Sequence, residues 1–173
     1  MKKNFKSLVF LFLMMITFSF VFTACNDQPV ILDSLQNEYG VVIEGGKFEK
    51  GSTLVTNSVT TTSDEGKKVL EILSAQDYNK EGNIYIFDIY VSKDDKKIQP
   101  DGKVKVTIPI TEIDSDNYFV FHIKENNSVE KLIPTVLEGQ ISFETSSFSY
   151  FAIVEEAIKE HVHNYELVEE ISE

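Results

Sequence analysis

The chain has 173 residues, with 28 aspartates and glutamates against 16 lysines, no arginine, and a formal net charge of −12. So acidic a composition lacks the basic footprint that neutralises phosphates, which excludes nucleic acid as a partner. One cysteine excludes an intrachain disulfide and a cysteine-cluster metal site. The fold must therefore be held by its core, to which 13 Phe and 7 Tyr bring large apolar side chains.

The chain opens with Met1 and the basic Lys2, Lys3 and Lys6, continues through 15 mostly apolar residues at 8–22, and reaches Thr23, Ala24 and Cys25. A charged start, an apolar middle and small residues before a boundary form the plan of a secretory signal peptide. With a cysteine at that boundary, residues 1–24 resemble a bacterial lipoprotein signal. The resemblance implies cleavage before Cys25, lipidation of its thiol, and a protein held on the outer face of the cell membrane. Two acyl chains, each burying about 0.8 kcal/mol per methylene, anchor a protein stably where one would not. Two rival readings stay open. One is secretion with cleavage elsewhere; the other is an uncleaved anchor, although the apolar run falls short of the ~20 residues that span a bilayer. From Cys25 onward, 13 lysines face all 28 acids, a net charge of −15. That charge disfavours docking of the body on anionic lipid, so the bilayer contact is assigned to acylated Cys25.

Residues 26–39 show no sustained period and contain Pro29, which predicts a tether over 25–39, with an edge strand or a turn of helix at 30–32. Strand signals begin at Gly40. Val41, Val42 and Ile43 form a β-branched run that Gly45 and Gly46 are expected to end in a turn. Lys50 and Gly51 mark another turn, and 52–60 is rich in Val and Thr. Val69, Leu70, Ile72 and Leu73 put an apolar stripe on a helix over about 64–74, capped by Ser63 or Asp64. Gly66 is an odd residue for its first turn. Residues 83–92 alternate, with Tyr85, Phe87, Ile89 and Val91 assigned to the core face and Ile84, Ile86, Asp88 and Tyr90 to the other. A charged turn follows at 92–97. Pro100 and Gly102 launch Val104, Val106, Ile108 and Ile110 as an inward set. Pro109 places that strand's end at an edge or exit. At 118–125, Phe119, Phe121 and Ile123 read as inward and His122 and Lys124 as outward. Further strands are expected at 129–136, at 141–145 and at 149–154. Turns about every ten residues between short alternating strands predict a mainly β fold: a single antiparallel β-sandwich with one short inserted helix.

The stretch Gln99-Pro100-Asp101-Gly102-Lys103-Val104-Lys105-Val106-Thr107-Ile108-Pro109, the strand from Phe119 to His122, and the closing run from Phe143 to Val154 resemble the Ig-like or ZU5-like modules of Firmicutes surface proteins. The resemblance covers about 40–156. It implies an Ig-like sandwich with a structural or adhesive role rather than an enzyme. After Val154 the chain turns acidic, and His161, His163 and Tyr165 resemble the opening of a small repeat found in similar surface proteins.

Chemistry-bearing residues are few. The chain has three histidines, and no nucleophile elbow, zinc-protease motif or phosphate loop. His122 is expected on the surface. Asp88, mid-strand among aromatics, is the acid to watch for carboxylate-based hydrolysis, set against an ion pair with a lysine on a neighbouring strand. Asp114 and Asp116 alternate as in calcium loops but lack the EF-hand glycine and distal glutamate. His161 and His163 could share a metal if extended, with Glu160 or Glu166. The expectation is a signal peptide at 1–24, a tether at 25–39, a sandwich at 40–156 and a tail at 157–173. It is a non-enzymatic, cofactor-free binding or structural module at the cell surface, with contacts to a surface protein or glycan expected through its end loops or an exposed edge strand. The alternative is an accessory lipoprotein of a surface enzyme or transporter whose tail binds metal weakly.

Overall fold

The computed structural model describes residues 29–113, 117–137 and 139–156. Residues 1–24, Cys25, Asp114, Asp116 and the tail with His161 and His163 lie outside the described residues. Within them the chain runs β1 (Ile31–Gln36), β2 (Val42–Glu49), β3 (Thr53–Val59), α1 (Asp64–Leu73), β4 (Ile84–Lys93), β5 (Lys96–Ile98), β6 (Val104–Pro109), β7 (Tyr118–Ile123), β8 (Val129–Leu132), β9 (Thr135–Leu137), β10 (Gln140–Thr145) and β11 (Tyr150–Glu155). One sheet has the order β1-β2-β6-β10-β9 and the other β3-β4-β11-β7-β8, with β5 paired to β4. All the pairings are antiparallel.

Two buried clusters explain why these strands hold. The larger draws Ile43, Phe48, Val106, Ile108, Ile141 and Phe143 from the first sheet, and Leu54, Ile89, Val91, Val120, Phe151 and Ile153 from the second. It is the shared core of the two sheets. The smaller joins Val69 and Leu73 of α1 to Ile86, Phe121, Ile123, Ala152 and Val154 on the opposite face of the second sheet. β4, β7 and β11 are thus covered on both sides, which is why β11 reads Phe-Ala-Ile-Val without a polar break.

Helix α1 begins where Ser63 Oγ accepts a hydrogen bond from Gly66 N–H at 3.0 Å. Gly66 sits there because a β-carbon would lie 2.0 Å from the Thr60 carbonyl oxygen. Gly66→Ala forces that carbonyl aside, and the crowding outweighs the roughly 1 kcal/mol that alanine gains in helix propensity. A net loss of about 1–2 kcal/mol is expected in urea denaturation, and a neutral or stabilised variant would refute the close approach.

Several expectations are corrected. The tether assigned to 25–39 gives way by Ile31, because β1 pairs with β2 from Ile31↔Glu49 to Gln36↔Val42. Leu35 is buried there, with Leu32 packed against the same core. Gly45 and Gly46 do not end a strand: with φ of +88° and +82° they form an irregularity inside β2, opposite the register shift between Leu32 and Ser34. The charged 92–97 turn is tighter than expected. Asp94 and Asp95, at φ +49° and +59°, make the whole loop of a β4–β5 hairpin. The strand at 129–136 is two strands, β8 and β9, which cross from one sheet to the other. Pro109 does lie at the exit of a strand, but β6 is central, between β2 and β10.

Candidate functional site

The phase of β7 is the reverse of that expected. Tyr118 and Val120 belong to the core between the sheets, while Phe121 and Ile123 pack under α1. His122 therefore points inward and is fully buried. Its ring stacks on Phe151 with centroids 4.4 Å apart and planes 13° apart. Ser149 Oγ donates to the Ile123 carbonyl at 2.6 Å. It is left to accept from His122 Nε2, 2.9 Å away, which fixes the proton on Nε2. Nδ1 faces Thr145 Oγ1 at 3.5 Å and Glu130 Oε2 at 3.8 Å. Burial pushes the imidazole down to about 4; the Lys124 charge works the same way, and Glu130 opposes both. Glu130 itself is held below the usual carboxylate range, first by its hydrogen bond from Lys124 at 2.8 Å.

Serine, histidine and glutamate thus fall in a row, but the proton runs the wrong way for a nucleophile. An activated serine gives its hydrogen to the imidazole, whereas Ser149 gives its hydrogen to a backbone carbonyl and receives one from the ring. The arrangement pins the start of β11 to the end of β7.

Ser149 also belongs to the wall of a crevice of about 280 Å³ between α1, β4, β5 and the β7–β8 turn. Val69, Ile72 and Ile123 give it an apolar floor, and Asp88, Lys97, Tyr90, Asn127 and Tyr150 stand around it. Asp88, on the face of β4 that looks toward α1, pairs with Lys97 at 3.5 Å. Lys97 lies on the neighbouring β5 and rests over the Tyr90 ring at 3.9 Å from its centroid. Of the two readings of Asp88, this geometry is that of the ion pair. The crevice offers three carboxylates (Asp88, Glu65 and Glu125), three ammonium groups (Lys97, Lys68 and Lys124), phenols and amides around an apolar base, a set that binds a polar ligand with an apolar face.

Sequence reasoning found Asp88 and missed the crevice. Its signal was the conjunction of an amphipathic helix with a strand apolar on both faces, since such a helix must cover part of such a strand. Among the described residues, no cluster of three or more His, Cys, Asp or Glu side chains could hold a metal. No helix among them is long and apolar enough to cross a membrane. No protein-family model matches the chain, and no solved structure matches it.

Proposed function

We propose that the chain is a lipid-anchored binding module on the outer face of a bacterial cell membrane, an Ig-like β-sandwich carried on acylated Cys25 that binds a surface glycan or protein. Anchoring is supported by the order of charge, apolar run, small residues and cysteine at 1–25. Binding is carried by one observation: the crevice beside α1, where polar groups converge over an apolar floor and most of them stand on regular elements. Lys97 and Asp88 neutralise one another there, and Lys68 and Lys124 are matched in number by Glu65 and Glu125 in the same lining, so the site presents hydrogen-bonding groups with little net charge, which suits sugar hydroxyls.

Two measurements test the two halves. Intact mass of the membrane fraction should show a chain starting at Cys25 with added acyl mass, lost in Cys25→Ala; an unacylated chain in both would end the anchoring claim. Purified cell-wall glycan should pellet the protein, and the double variant Asp88→Asn, Lys97→Gln should bind roughly tenfold more weakly, as expected for loss of one contact centre. Equal retention of both proteins would place the binding surface elsewhere, and no retention of either would leave a protein as the partner.

A further inference from the structure

The two ends of the sandwich differ in charge. At one end, where Ile31↔Glu49, Thr53↔Ser92, Gly45↔Val104 and Tyr150↔Ile123 lie, each charged turn is neutral. Glu49 stands beside Lys50, and Asp94 and Asp95 stand between Lys93 and Lys96. Asp101 and Lys103 precede β6, and Lys124 and Glu125 follow β7. At the opposite end each charged connection among the described residues is net acidic. Glu38 lies between β1 and β2, Asp77 and Glu81 outnumber Lys80 before β4, Glu112 follows β6, and Glu155 and Glu156 close β11.

The chain enters the fold at the neutral end. The Val30 carbonyl accepts a hydrogen bond from Lys50 N–H at 2.7 Å, and Val30 and Ile31 are 57% and 44% exposed beside it. Pro29, where the described chain begins, is four residues after Cys25, a span of roughly 14 Å at full stretch. The sandwich is longer than that leash, since the ten residues of β4 alone rise about 33 Å. A lipid on Cys25 therefore keeps the neutral end near the bilayer.

Building on acylation of Cys25, we propose that the sandwich stands end-on against the bilayer, its neutral end facing anionic headgroups and its acidic end outward. The net charge of the body does not forbid this. Physiological salt screens charges more than about 8 Å apart, so an upright sandwich presents only its near end to the lipid. A sandwich tipped onto its side would bring the acidic connections within that range. Lys50 and Lys96 are exposed and make no ion pair among the described residues, which leaves their ammonium groups to lipid phosphates. Val30 and Ile31 add apolar contact at the same end. The crevice beside α1 is bordered by Lys124 and Asn127 of the β7–β8 turn, so it opens in the half nearest the bilayer, within reach of a membrane-bound glycan.

The chain contains no tryptophan, so one introduced at an exposed threonine reports on its own end. Thr53→Trp marks the neutral end and Thr111→Trp the acidic one. The acylated chain from the membrane fraction is placed in vesicles of phosphatidylcholine and phosphatidylglycerol that carry dansyl-labelled headgroups. Energy transfer should be several-fold stronger from residue 53 than from residue 111. Lys50→Glu combined with Lys96→Glu should reduce that contrast by about half, and should leave it unchanged in phosphatidylcholine alone. Equal transfer from the two positions overturns the end-on stance, and a contrast untouched by the charge reversal overturns anionic lipid as the partner. Intact mass of the same sample separates the two readings. A chain without acyl mass ends anchoring and orientation together, whereas an acylated chain with equal transfer ends the orientation alone.

Discussion

Phe151→Ala is expected to lower stability by about 3–5 kcal/mol, the range for emptying a buried aromatic site that cannot collapse. Phe151 is the second residue of β11, a strand paired on both sides, with Phe87 and His122 as its register partners. It is fully buried. One neighbour, Phe143, comes from the opposite sheet with ring centroids 5.1 Å apart. The other, His122, lies on the adjacent strand of the same sheet. Removing the ring therefore takes contacts from both layers at once and leaves the imidazole without its stacking face. β-Strands on both sides hold the backbone in register, so the cavity has little room to close. Urea denaturation of the two proteins at neutral pH reads the difference as a shift in midpoint at unchanged slope. A loss below about 1 kcal/mol would mean that the two sheets do not share their core at this residue.

The strands of the body were legible where one face met a core and the other met water. β6 is the clear case: Val104, Val106 and Ile108 are buried while Lys103 and Lys105 form surface ion pairs with Glu144 and Glu44. Alternation fails where both faces are covered. In Tyr118-Phe119-Val120-Phe121-His122-Ile123 each set of alternate residues is largely apolar, so polarity cannot say which set faces which core. The odd-numbered set has no polar member and was assigned inward, but it packs under α1. The histidine went to the sheet interior because Ser149 could satisfy it there.

Glycine misled for a related reason. Positive φ at Gly45 and Gly46 reads as a turn, yet the same angles serve an irregularity that lets β2 go on to bury Phe48. That Asp88 would pair with a lysine of a neighbouring strand was legible from charge alone; that the lysine is Lys97 was not, because Lys97 is in register with Ser92 and reaches back over the Tyr90 ring to meet Asp88. The crevice around the pair was not legible either, because it exists only once α1 has been laid across the sheet.

The buried imidazole gives the second large effect: stability should fall as the pH drops from about 6.5 to about 4, by at most about 3 kcal/mol at 1.36 per pKa unit. The sign follows from the direction of the shift. In the fold, burial foremost, and then the Lys124 charge, pushes His122 from 6.5 down to about 4. Above 6.5 the ring is neutral in both states and costs nothing. Between the two values the unfolded chain takes up a proton that the folded chain refuses, so acid favours unfolding. Below about 4 both states are protonated and this contribution levels off. Glu130, whose pKa is also lowered, loses its contribution only below the ordinary carboxylate value of 4.5, so its window begins near the lower limit of the histidine's. His122→Phe separates the two. The replacement keeps a flat ring against Phe151 and strands no polar group: Ser149 still donates to the Ile123 carbonyl, and Thr145 Oγ1 still donates to the Ser147 carbonyl. Urea midpoints across the window should slope in the native protein and run nearly flat in the variant until the carboxylates begin to titrate. An equal slope in both would assign the acid sensitivity to other groups and remove His122 from the account of stability.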